Sequence, residues 1–417
     1  MDKSLIWLWL SLHFGEGTRI YNDLLAHFGS EEAIYDSDDY DVEPLDWLSD
    51  TQKTKLLDKN LKHAYEIEQW CDDNGVHILT YAYPLYPDTL RLLEDFPAVL
   101  YYVGTFPDLR NKVVIGIVGT RRMSVRGEKM AYSLGYSLAK GGAITVSGMA
   151  LGIDGTAQMG TIAAFGTTIA VLGSGINVIY PKHHEELYQT IIYSGAVVTE
   201  YPPNTPPNAR NFPVRNRLIS GLSLGVVVVE GDENSGSMIT ARRAIKQDRD
   251  LFAVPGPAGE FLSSGPNKLI KEGAIVCENA IDIFENYLEH YRDSINLVAA
   301  KLLPRSRREV YSVASSINEG RFFRRGSEEE NLKPKKHFNP FNRKAEEKKK
   351  EETITVDLSM LTDEDKLVYN AMEKGKMMTE DSFLNLGLSV ADISAALLNL
   401  EIYGLIEAKP GGFYVKK

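Results

Sequence analysis

The chain has 417 residues, 46 Lys and Arg against 57 Asp and Glu, a formal net charge of −11, and 43% hydrophobic residues. At roughly 100–200 residues per domain this is a globular composition with room for two to four domains. It holds no apolar run of about 18 residues that would cross a membrane, and its two cysteines, Cys71 and Cys277, supply neither a disulfide framework nor a cysteine zinc site.

The N-terminus, with Asp2 and Lys3 ahead of a short apolar run from Leu5 to Leu12, has no basic leader or small-residue cleavage site. A cytoplasmic protein is therefore expected. The negative total argues at first sight against a phosphate ligand, but the charge is uneven. Residues 1–110 carry 8 basic and 21 acidic side chains, whereas residues 111–225 carry 10 and 5. A basic island thus lies within an acidic chain.

Taken in chain order, residues 1–72 read as a helical domain of the SAM or helix-hairpin-helix type. Leu5, Ile6, Leu8, Trp9 and Leu12 recur at helical spacing, as do Ile20, Leu24, Leu25 and Phe28, with Gly15, Gly17 and Gly29 as breaks. The acidic stretch Glu31 to Asp50 reads as loop-rich and solvated. From Val76 the pattern changes to short Val/Ile-rich runs: VHILTY, AVLYYVG, VVIGIV, AITVS, TIAVL, AVVTE, VVVVE, DLFAV and AIVC.

Continuous apolar strands alternating with helices predict an α/β domain over 73–300, with a doubly wound, Rossmann-like parallel sheet covered on both faces. Residues 301–356 are charged, low in complexity and read as a disordered linker. Residues 357–417 read as a winged helix: three helices, then a hairpin turning at Pro410, Gly411 and Gly412.

Ligands of open α/β sheets bind at the carboxyl ends of the strands. After the third strand stand Gly119, Thr120, Arg121 and Arg122, with Arg126 nearby; the glycine permits close approach and the guanidinium forks match phosphate oxygens. The G-x-G-x-x-G spacing of a dinucleotide site is absent. After the fourth, Ser147, Gly148, Met149, Ala150 and Gly152 form a small-residue loop fit for phosphate amide contacts or for tight helix packing. Asp154 follows as a helix cap, an arginine orienter or a catalytic acid.

After the fifth strand come Lys182, a phosphate contact, and the adjacent His183 and His184, which do not share a helix face; no metal site is expected. After the sixth, a proline-rich stretch leads to Phe212, Arg215, Asn216 and Arg217. Basic residues interleaved with an aromatic suit single-stranded nucleic acid, the arginines following the backbone and the ring stacking a base; Phe212 as a core residue is the competing reading. After the seventh, Ser235, Gly236 and Ser237 form a polar loop with Ser237 as helix cap.

The runs GTRR, SGMALGIDGTA, AVLGSGINVIYPKHHEEL, EYPPNTPP, NFPVRNRLISGLS, GSMITARRA and GPNKLIKEGA resemble, in collinear order over about residues 76–290, the DNA-processing protein A (DprA, or Smf) family. The flanking helical and winged-helix segments are similar to its accessory domains. The resemblance implies a cytoplasmic bacterial protein, not an enzyme and without cofactor. Such a protein binds single-stranded DNA, protects it from nucleases and loads the RecA recombinase in natural transformation (competence), acting as a homodimer.

By motif, the resemblance carries the DNA pocket onto Arg121, onto Ser147 to Ala150, and onto Phe212 with Arg215. Family members often carry a basic residue just before the strand that Thr168 opens; here Thr167 stands there, which implies one phosphate contact fewer. The resemblance does not account for the net positive linker, which is expected to add nonspecific DNA affinity. The helix Ser389 to Tyr403 contains Asp392 and Glu401 and no Lys or Arg, so the winged helix reads as a protein-interaction module.

Two enzymatic alternatives stand beside this reading. A nucleotide hydrolase of the lysine-decarboxylase-like group has a related fold, but its motif requires a glutamate where NSGSMITARR offers Arg242 and Arg243; Asp154, Glu200 and Glu230 are the other acids available. A metal-dependent nuclease needs clustered carboxylates, and residues 111–225 hold five acids in all.

Overall fold

The computed structural model describes residues 2–303, 361–373, 375–402, 405–409 and 413–416. The expected linker from residue 304 onward, the Pro410–Gly412 turn and Tyr403 lie outside the described residues. The described part forms two compact units. One comprises residues 2–303 except 207–211; the other comprises that short segment and the C-terminal residues from 361.

The first unit opens with six helices: α1 Lys3–Phe14, α2 Ile20–Phe28, α3 Glu31–Asp36, α4 Asp39–Val42, α5 Asp50–Leu57 and α6 Lys62–Asn74. The expected helical spacing holds because Trp7, Trp9, Tyr21 and Leu24 bury their side chains against one another and against the sheet edge. Trp7 packs on Tyr81 in a tilted pair at 5.0 Å and meets Phe96 edge-on at 5.9 Å.

The acidic stretch is more ordered than its composition suggests, since α3 and α4 both lie within it. Ser30 caps α3 by accepting from the Ala33 N–H, Asp38 and Asp41 form a capping box around α4, and Ile34 and Val42 are fully buried. Acids at helix starts favour these short helices through the dipole, a role that charge counting misses.

The sheet has nine strands: β1 His77–Thr80, β2 Val99–Gly104, β3 Val114–Val118, β4 Ile144–Ser147, β5 Thr168–Val171, β6 Gly195–Thr199, β7 Gly225–Val228, β8 Asp250–Ala253 and β9 Ile275–Val276. Their order is β1-β2-β6-β5-β4-β3-β7-β8-β9. The seven from β6 to β9 are parallel, as expected of runs buried on both faces. An antiparallel pair, β1 and β2, extends the sheet at β6, with Tyr101 opposite Thr199, a direction the apolar pattern could not announce.

Between the strands run α7 Asp88–Arg91, α8 Val125–Lys140, α9 Ile153–Ala163, α10 Glu185–Ser194, α11 Asn211–Leu222, α12 Gly236–Lys246, α13 Phe261–Lys271, α14 Ala280–Tyr291 and α15 Leu297–Ala300. The chain reverses direction across the sheet between β3 and β7, and all seven parallel strands end on one edge.

The second unit holds α16 Asp363–Ala371, a 3-10 segment Glu380–Leu386, α17 Val390–Ile402 and a sheet of order β10-β12-β11, with β10 Met377–Met378, β11 Ile406–Lys409 and β12 Phe413–Lys416. Val368, Phe383, Leu397 and Leu400 are its buried centre. This is the expected winged helix.

Candidate nucleic-acid interface

Three loops and one helix meet at the carboxyl edge of the sheet. Arg121, exposed on the loop after β3, holds its guanidinium carbon 5.1 Å from the centre of the Phe212 ring; that of Arg215 lies 5.7 Å from the same ring. Phe212 stands in the first turn of α11, half-buried, with Tyr180 at 5.6 Å between ring centres. A Cβ on Gly173 would lie 3.0 Å from Phe212 Cδ1, so the glycine after β5 makes room for the ring. Phe212 is thus neither a core residue nor a free one.

Arg215 is buried, 4% exposed, and fixed from below. Its Nη1 donates to the carbonyl of Gly148 at 2.8 Å and to that of Val171; its Nε donates to Asn216 Oδ1 at 3.1 Å. A Cβ on Gly148 would fall 2.6–2.7 Å from the guanidinium atoms, so only glycine admits Arg215 here.

Burial pulls the guanidinium down to about 10, against the pull of Asp154, so it stays cationic at neutral pH. Burial also raises Asp154, while Arg215 and the Gly148 N–H that its Oδ2 accepts at 3.0 Å hold it back. Asp154 therefore orients the loop under Arg215.

The loop after β4 is held by its own atoms. Ser147 Oγ donates to the Ile117 carbonyl at 2.6 Å, and Met149 is fully buried with φ 52°. These two side chains, expected at a ligand, are instead committed to the fold; Gly148 is buried with them, and the half-buried Ala150 and exposed Leu151 are the parts of the loop nearer the surface. His184, lowered by burial, donates Nδ1–H to the Met149 carbonyl at 2.9 Å, which ties to this loop the short 3-10 turn on which Lys182 is exposed.

Gly119 and Gly152 lock neighbouring loops. A Cβ on Gly119 would meet Ile153 at 2.6 Å, and one on Gly152, at φ +80°, would strike the Thr120 and Arg121 carbonyls. Arg122 is exposed beside Thr120, whose Oγ1 accepts its backbone N–H.

Two expected groups do not join the cluster. Arg217 is 1% exposed and directed away, donating to Glu200 Oε1 at 2.6 Å. Two residues along a helix is about 200° of rotation, so Arg215 and Arg217 cannot face the same ligand. Ser235, Gly236 and Ser237 lie after β7, with the two serine hydroxyls beside Gly231. Ser235, not Ser237, is the cap residue, and Ser237 is buried with its hydroxyl 2.7 Å from that of Ser235.

Thr167 precedes β5 and so lies at the opposite end of that strand from the cluster; its carbonyl pairs with the Thr145 N–H. A basic residue there would not add to this site. Tyr180, which pattern reading missed, is signalled only as an aromatic before a proline.

The three candidate catalytic acids are all held by donors: Asp154 as above, Glu200 by Arg217, and Glu230 by the Ser124 N–H and hydroxyl at 2.9 and 2.6 Å. Glu230 fills the crevice between β3 and β7, where a dinucleotide would place its pyrophosphate. Among the described residues no group of three His, Cys, Asp or Glu is placed to hold a metal ion, and no helix is long and apolar enough to cross a membrane.

The chain is 41% identical to Protein Smf of Escherichia coli K12 over 218 residues, 52% of this chain and 58% of that protein, so the match spans little more than half of the relative. It is 41% identical to DNA processing protein DprA of Bacillus subtilis 168 over 217 residues, 73% of that protein. The X-ray structure of DNA processing protein A from Streptococcus pneumoniae superposes with a TM-score of 0.59 at 29% identity, covering 68% of this chain and 98% of that one. Residues 360–412 match the DprA winged helix domain, and residues 77–288, half of the chain and all of the cluster, match DNA recombination-mediator protein A: the chain belongs to that family.

Proposed function

We propose that the carboxyl edge of the sheet binds single-stranded DNA, and that the protein shields that strand and passes it to a RecA-type recombinase during natural transformation. The observation that carries this reading is the Phe212 ring held between Arg121 and Arg215. An aromatic face accepts an unstacked base of any identity, and the flanking guanidinium groups accept its phosphates. A duplex hides its base faces, so single strands are preferred. Arg122, Lys182 and the amides around Gly119 and Ala150 extend the phosphate track.

The protein is read as a cytoplasmic, non-catalytic binder that works as a homodimer, with 1–72, 73–300 and 357–417 as its domains and the winged helix as a partner-binding module. The strand-handling role follows from family membership together with the absence of a paired acid and base among the acids considered.

The test is fluorescence anisotropy with labelled single- and double-stranded oligonucleotides across a salt series. Tighter single-strand binding is expected, with log Kd rising linearly with log salt and the slope reduced in Arg121→Ala. Equal, weak binding of both nucleic acids, unaffected by Arg121→Ala, overturns the reading. Release of free base or sugar phosphate from a nucleotide supports the hydrolase instead.

A further inference from the structure

The α11 helix is anchored on two opposite sides, and the second anchor belongs to the N-terminal helices. Phe212 and Arg215, three residues apart, share the face toward the cluster; Val214 and Arg217, also three apart, share the other. On that other face Arg217 donates to Glu200, and Glu200 Oε1 also accepts the N–H of Gly17 at 3.4 Å. Gly17 lies in the turn between α1 and α2 at φ +67°. A Cβ on it would fall 2.6 Å from Val214 Cγ1 and 3.5 Å from Arg217 Nε. The turn is therefore seated directly on the first two turns of the helix that carries the ring.

The pair is deeply enclosed. Glu200 is 5% and Arg217 1% exposed, and Asp95 Oδ2 lies 3.8 Å from Arg217 Nε. Tyr21, on α2, donates to the Gly15 carbonyl and closes the turn. A buried ion pair is a costly way to hold a helix unless its geometry matters, and replacing it by apolar groups is often neutral for stability. What it adds is direction. Its two ends fix the rotation of α11 about its axis, which decides where Phe212 and Arg215 point.

We propose that the Gly17–Glu200–Arg217 latch is a positioning device for the single-strand site, through which the N-terminal helices set its affinity. Arg217 acts through α11 and touches no DNA. The inference rests on the proposed DNA reading and deepens it. A turn pressed against α11 admits a partner of the N-terminal helices as a modulator of strand binding, with no contact at the cluster itself.

The experiment uses the full chain and an oligonucleotide carrying 2-aminopurine, whose fluorescence falls when it stacks on an aromatic ring. Gly17→Ala should raise Kd for the single strand at least fivefold and reduce the quenching at saturating protein, with the far-UV circular dichroism spectrum retained. Val214→Ala removes the atom that the new Cβ would meet, so Gly17→Ala/Val214→Ala should recover part of both signals, the strain of alanine at φ +67° remaining, while urea midpoints that differ little between the two variants separate positioning from a merely structural loss. If Gly17→Ala does not fold, Arg217→Lys, which keeps the charge but not the fork, makes the same comparison.

Wild-type affinity and quenching in a folded Gly17→Ala, while Arg121→Ala weakens binding, sink the latch and leave the site standing. Absence of single-strand binding by the wild type sinks the site itself.

Discussion

Phe212→Ala separates base stacking from phosphate attraction. The ring is half-buried, with Gly173 against it and the guanidinium groups of Arg121 and Arg215 at 5.1 and 5.7 Å, so a base stacks on it by displacing the exposed Arg121 side chain from one face. Stacking of a base on an aromatic side chain is worth about 1–3 kcal/mol. A single face on a ring already in part covered belongs in the lower half of that range, about 1–2 kcal/mol, or roughly 5- to 30-fold in Kd.

No charge is lost, so the slope of log Kd against log salt should match the wild type. Arg121→Ala loses one phosphate contact, and its slope should fall by about 0.7 for a single strand. Anisotropy titrations of labelled oligothymidine at four or more salt concentrations read both quantities. Affinity unchanged in Phe212→Ala, or a slope altered as in Arg121→Ala, refutes the division of labour between ring and guanidinium.

Arg215→Ala should lower stability by roughly 2–4 kcal/mol, since it leaves the Gly148 and Val171 carbonyls unpaired and Asp154 buried without its cation, whereas exposed Arg121→Ala should stay within about 0.5 kcal/mol; urea unfolding compares them. Gly148→Ala forces the Arg215 guanidinium aside and should cost about 1–3 kcal/mol by the same assay, together with a loss of DNA affinity that Arg121 does not restore.

Glu16 is pushed up to about 7 by burial and by the nearby Glu200 charge. Its folded pKa lies above the unfolded value of 4.5, so the stability linked to it is fully present below pH 4.5 and is lost as pH rises through 7. Glu16→Gln should therefore raise Tm relative to the wild type at pH 8 and change it little at pH 5; an equal shift at both values contradicts this.

The strands were legible because parallel strands buried on both faces leave uninterrupted Val/Ile runs: β3, β4, β5 and β8 fall inside the runs read from composition and periodicity, and β6 and β7 begin one residue before theirs. Strand direction was not, because β2 is as apolar as its parallel neighbours while pairing antiparallel with β6. Glycines were legible as close approaches but not their partners. Gly148 admits an arginine, Gly119 a helix side chain and Gly173 an aromatic ring, three neighbours that no local pattern distinguishes. Ser147 looked like a phosphate ligand because small polar residues at a strand end serve both loops and ligands; its hydroxyl is taken by the Ile117 carbonyl.

The segment NFPVRNR shows why counting charges overstates the basic surface at the proposed site. Two arginines two residues apart look like one basic patch in a sequence. On a helix they fall on nearly opposite faces, one resting under the Phe212 ring and the other paired with Glu200. Of the basic island in residues 111–225, Arg217 is therefore paired within the fold, and the cations assigned to the proposed site are Arg121, Arg122 and Lys182 at the surface with Arg215 beneath. The field at the site thus depends on few cations. Affinity must then come in good part from the ring and the backbone amides, which is why a salt slope smaller than the count of ten basic residues implies is the result this geometry requires.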